Sequence, residues 1–96
     1  MAENETRTVW KYPLSDLRTL QKKTLPCGSQ PLYVRYQADA PMVWVLVDPE
    51  EQEKETWTFW TILTGQEFTP PQKLLSLGTA VREGWIVLHF FAARED

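Results

Sequence analysis

Apolar and polar residues alternate along most of this chain in short runs, and each run ends at proline, glycine or aspartate. Alternation with period two is the mark of a half-buried strand, and turn residues at regular spacing set the strand ends. The pattern predicts strands at 7–12 (RTVWKY), 18–25 (RTLQKKTL), 32–38 (LYVRYQA), 42–48 (MVWVLVD), 56–63 (TWTFWTIL), 75–82 (LSLGTAVR) and 85–92 (WIVLHFFA). Short strands at this spacing point to an all-β fold, a small antiparallel sandwich or barrel of about seven strands joined by hairpins. Strand 18–25 is expected to form a hairpin with 7–12, although SDLRTLQKK also has the Ser15 cap and leucine spacing of a short helix. PPQKLL at 70–75 allows one short helical turn. REGW, with Gly84, reads as a tight turn needing a positive φ. Residues 1–6 read as a flexible N-terminal tail and 7–96 as a single all-β domain.

Alternation also sorts side chains by face. One set reads Trp10, Tyr12, Leu32, Val34, Tyr36, Val43, Val45, Val47, Trp57, Phe59, Leu63, Ile86, Leu88 and Phe90; it is nearly all apolar and is the predicted core. The opposite set mixes large rings with cations and amides: Arg7, Val9, Lys11, Tyr33, Arg35, Gln37, Met42, Trp44, Leu46, Thr58, Trp60, Ile62, Trp85, Val87, His89 and Phe91. A solvated face would lack those rings, and a second core would lack those cations. Leaving Trp44, Trp60, Trp85 and Phe91 all wet would forgo on the order of 6–12 kcal/mol at about 1.5–3 kcal/mol each. That rivals the stability of a small domain. The pattern therefore asks what covers this face: the chain's own second sheet, with a bulge flipping the register, another copy of the protein, or a ligand or foreign protein surface.

Composition narrows the answer. Ninety-six residues make one small core, and 43% hydrophobic with 24% charged residues is ordinary for a soluble globular chain. The net charge of −3 argues against sequence-blind binding to duplex nucleic acid. The charge is uneven, with six basic residues against Asp16 alone over 7–37, and an acidic excess in PEEQEKE, which reads as a solvated hairpin loop. Cys27 is the single cysteine and reads as a passive thiol in a turn. MAENETRT lacks the apolar stretch of a signal peptide, and MVWVLV and WIVLHFFAA are too short to span a bilayer as helices, so a cytosolic protein is expected with no membrane partner.

Candidate chemistry is sparse. The chain has no glycine-rich phosphate loop, no Cys/His metal spacing and no HExxH, and a serine triad would have only His89 as its base. Asp39 in ADAP and Asp48 in VDP sit where aspartate makes turns. No catalytic residue, cofactor or metal site is expected, and the chain reads as a non-enzyme. Binding is the better reading, because rings can stack on a base while cations meet phosphate, or both can serve a protein interface. The binding candidates are Lys11, Tyr33, Arg35, Trp44 and Trp60; Trp85, His89 and Phe91 are candidate interface residues of a homo-oligomer.

In their order, VWKYPL, LYVRYQ, VWVLVDP, the TG at 64–65, LGT at 77–79 and IVLHFF resemble a family of short uncharacterised proteins of bacteriophage and prophage genomes, a domain of unknown function. The resemblance covers roughly residues 8–91. Gln66 stands where that family often has a histidine after the TG step. The resemblance implies a phage accessory protein acting in the host bacterial cytoplasm. By analogy with small phage proteins that counter host immunity, it would sequester a small anionic nucleotide signal, such as a cyclic nucleotide or an ADP-ribose derivative. The alternatives are an inhibitor docking its aromatic face onto a host defence protein, and a minor virion component.

Overall fold

β-branched and aromatic residues in alternation produce seven strands in a computed structural model that describes residues 6–95. They are β1 (Thr8–Pro13), β2 (Leu20–Pro26), β3 (Gln30–Gln37), β4 (Ala40–Val47), β5 (Lys54–Leu63), β6 (Leu75–Arg82) and β7 (Ile86–Arg94). The expected tail over residues 1–6 lies outside the described residues but for Thr6. All pairings are antiparallel, in a three-stranded sheet ordered β1-β4-β3 and a four-stranded sheet ordered β2-β5-β7-β6. The result is a sandwich, as the strand spacing predicts.

Strand positions agree with the sequence pattern, but one pairing does not. β2 lies in the four-stranded sheet beside β5 and makes no hairpin with β1, whose partner is β4. The link between them carries Leu14, buried in the core, so the chain passes from one sheet to the other there. PEEQEKE likewise crosses between sheets rather than closing a hairpin, since β4 and β5 belong to different layers. No helix occurs among the described residues, and Gln72 and Lys73 form a bend. Trp85 belongs to the β6–β7 turn, where Gly84 has φ 79°.

The core fills the space between the sheets. Val43, Val45 and Val47 of β4 are fully buried against Phe59, Leu88 and Phe90 of the opposite sheet. Leu14, Leu25, Leu77 and Ala92 join them, although the alternation argument did not place them. Trp10 and Leu63, expected in the core, are exposed, and Leu32 is only half-buried. Leu32 leaves the core because β3 shifts register between Pro31 and Tyr33. Pro31 and Val34 both point inward across that bulge, so the period is broken once.

A polar cluster ties the layers along the side where β3 packs against β6. The Tyr36 hydroxyl donates to Asp16 Oδ2 at 2.5 Å, and Arg82 Nη1 donates to the same oxygen at 3.2 Å. Asp16 comes from the β1–β2 link, Tyr36 from β3 and Arg82 from β6. The Tyr36 hydrogen bond, with Arg82 adding to it, holds the Asp16 carboxyl below its usual range. Burial, then the Asp16 carboxylate, pushes the Tyr36 hydroxyl up to about 12. An unfolded tyrosine ionises near pH ~10. The folded state therefore holds this proton more tightly, and its stabilisation is complete below pH ~10 and lost as the pH rises towards 12. Burial raises Tyr12 in the same direction. Tyr36→Phe is expected to cost about 1–2 kcal/mol at neutral pH and to flatten part of the alkaline loss. Denaturant unfolding of both proteins across that window checks this; equal alkaline losses would remove Tyr36 from the account.

Candidate functional site

β4 is the central strand of the three-stranded sheet, so its alternation has one outcome on each side. Its odd positions form the core, and Met42, Trp44 and Leu46 point outward, half-buried between two edge strands. Lys11 on β1 stands opposite Trp44 on one side, and the β3 bulge brings Tyr33 opposite it on the other. The Tyr33 and Trp44 rings stack with centroids 5.6 Å apart and planes 26° apart. The Arg35 guanidinium lies over the Tyr33 ring, 4.9 Å from its centroid. Lys11 reaches across β4, its Nζ donating to Gln37 Oε1 at 2.6 Å. Four of the five binding candidates thus meet on one open sheet face, with Val9 and Tyr33 exposed at its margins.

Trp60, the fifth, does not belong to this face. It lies on β5 in the other sheet, pointing away from the core, and is only 8% exposed. Its cover follows from the topology. β5 and β6 flank β7, so the segment joining them must cross β7, and the inner face is already filled by the core. Residues 64–74 therefore run over the outer face as a strap. Phe68 stacks on Phe91 at 5.5 Å and tilts against Trp60 at 6.3 Å, and Leu74 completes a second apolar cluster with Ile62 and Ala93. The aromatic stretch TWTFWTILTG thus has Trp57 and Phe59 in the main core and Trp60 and Ile62 under the strap.

The strap also accounts for two of the three interface candidates. Phe91 is part of its floor. His89 sits between two threonines, with Nε2 2.7 Å from Thr64 Oγ1 and Nδ1 3.4 Å from Thr79 Oγ1. Gln66 anchors the start of the strap: its Oε1 accepts from the Leu63 N–H and its Nε2 donates to Thr19 Oγ1. Trp85 alone of the three is open, 76% exposed at the hairpin tip.

Two clefts that the sequence reading missed border the strap. The larger, of about 880 Å³, lies between the β2–β3 turn and residues 71–75, with Trp57 and Ala93 in its lining and Lys73 and Arg94 among its charged groups. The smaller, of about 470 Å³, runs beside Trp60 and Thr58. Strand residues line one side of each cleft and turn or loop residues close the other, and those segments carry no periodic signal. Cys27 lies next to the larger cleft in sequence; burial, then the carboxylates of Glu55, Glu51 and Glu53, push its thiol up. That environment suits a resting thiol rather than a nucleophile. Among the described residues no three His, Cys, Asp or Glu side chains come together as a metal site, and no helix is long and apolar enough to cross a membrane.

The model of one family, a domain of unknown function (DUF7352), matches residues 5–96. No curated protein and no solved structure matches the chain.

Proposed function

We propose that this chain, which belongs to the DUF7352 family, is a non-enzymatic binding protein. It engages an acidic, apolar-centred surface of a protein partner through the outer face of its three-stranded sheet. The observation that carries the reading is the Arg35–Tyr33–Trp44 run: a cation and two rings already packed on one another, at the open face of a rigid sheet. Trp, Tyr and Arg are the residue types that dominate interface energetics, and side chains ordered before binding lose less entropy on docking. Lys11 and Arg35 give the face its positive sign. The finer setting is part of the proposal: a phage-type protein in the cytoplasm of a bacterial host, acting by occupying a component of host immunity.

A second reading, capture of a small anionic nucleotide signal, is favoured by Lys11 and Arg35 flanking the ring pair on one face. It is the weaker one. Tyr33 already has Trp44 and Arg35 against its ring, Trp60 lies in the other sheet, and the two clefts border that sheet instead.

One experiment separates the readings. The pure protein is incubated with bacterial extract and recovered, and its bound material is released by heating. A protein partner whose complex re-forms from pure components, and is weakened by Trp44→Ala but not by Trp85→Ala, supports docking. An intact nucleotide with no protein supports capture, and a degraded nucleotide contradicts the non-enzymatic reading.

A further inference from the structure

The sandwich has four sheet edges among the described strands, and three of them are closed or guarded along their length. β3 and β6 lie against each other, with Arg35 Nη1 3.7 Å from where a Cβ on Gly78 would stand. β2 carries Lys22 and Lys23 and ends on Pro26, and Lys22 is paired with Glu95 at 2.6 Å. Lysines and proline are the usual guards of an edge strand. β1 differs. It has β4 on one side and no described strand on the other, and Val9 and Trp10 in its middle are 46% and 39% exposed. Trp10 stands opposite Val45, which is fully buried, so its ring belongs to the inner face at a margin where the sandwich stops short.

The phase of the ladder is fixed as well. The Leu14 N–H donates to the Pro41 carbonyl at 3.0 Å, one step beyond the Pro13–Met42 pair. Bonded and non-bonded pairs alternate in an antiparallel ladder. Thr8, Trp10 and Tyr12 therefore turn their backbone groups towards β4, and those of Val9 and Lys11 point out of the edge.

We propose that β1 pairs antiparallel with β1 of a second copy of this chain about a two-fold axis at Trp10, joining the two three-stranded sheets into one. A continuous sheet requires residues of the same face to meet, which leaves few registers. With the axis at Trp10, Val9 faces Lys11 of the second copy and Thr8 faces Tyr12, so no like charges meet. The two Trp10 rings then close the open margin of both sandwiches. Moving the axis to Val9 sets Arg7 against Lys11, and moving it to Lys11 sets that residue against itself; like charges directly opposite are destabilising. The outward backbone groups of Val9 and Lys11 bond to one another across the axis. This inference does not rest on the partner reading; it places two copies of the Tyr33–Trp44 face on one continuous surface.

Sedimentation equilibrium of the full chain tests it. The mass at micromolar concentration is expected to be twice 11.2 kDa. Val9→Lys places a lysine opposite Lys11 twice per dimer, and Val9→Glu places a carboxylate there, so Val9→Glu is expected to dimerise at least about tenfold more tightly than Val9→Lys. Thermal melts confirm that both variants fold. A monomeric parent overturns the proposal. A dimer that answers equally to both substitutions, or in the reverse order, overturns the β1 register.

Discussion

Trp60→Ala is expected to cost this protein about 3–5 kcal/mol, the amount typical of emptying a core tryptophan site, although Trp60 points away from the main core. It is 8% exposed because Phe68 lies against it from the strap and Ile62 and Ala93 surround it. Removing the indole leaves the strap without its central contact. A domain of this size has about 5–15 kcal/mol to lose, and each kcal/mol lowers Tm by about 4–8 °C. The melting temperature should therefore fall by at least about 12 °C, and proteolysis should cut first within residues 64–74. A variant as stable as the parent would show that the strap does not seal this face.

The largest effect on binding is expected from Tyr33→Ala combined with Trp44→Ala. The pair joins the central strand β4 to the edge strand β3 on the open face, and Arg35 is held over Tyr33. Aromatic anchors of an interface cost about 2 kcal/mol or more each when truncated, so the double variant should bind the proposed partner at least about 100-fold more weakly. The cost to the fold is smaller, because Tyr33 is 40% exposed and a stacked pair contributes only about 0.5–1.5 kcal/mol beyond area. Calorimetric titration and thermal melting of the same variants separate the two effects. Unchanged affinity with an intact fold would move the binding surface off this sheet.

The contrast between the two faces explains what was readable in the sequence. Alternation placed Lys11, Tyr33, Arg35 and Trp44 on one side correctly, because β1, β4 and the outer end of β3 keep a clean period of two. It also grouped Trp60 with them, since parity says which side of its own strand a residue occupies and nothing about which sheet the strand joins. The same limit applies to β2: LQKKTL shows the pleat but not its neighbour, and its placement beside β5 rather than β1 follows from the crossing at Leu14. Phe68 and Leu74 were missed as cover because they stand alone in a proline-rich stretch. Only the topology, which forces residues 64–74 across β7, makes them part of a cluster.

The chain seals the aromatic outer face of its four-stranded sheet with its own strap and leaves that of the three-stranded sheet open, the face proposed here for binding. Labelling the five tryptophans with 5-fluorotryptophan and measuring each fluorine shift between light and heavy water tests it most directly. Trp85 should respond most, Trp44 less, and Trp57 and Trp60 hardly at all. A Trp60 response equal to that of Trp85 would contradict the account.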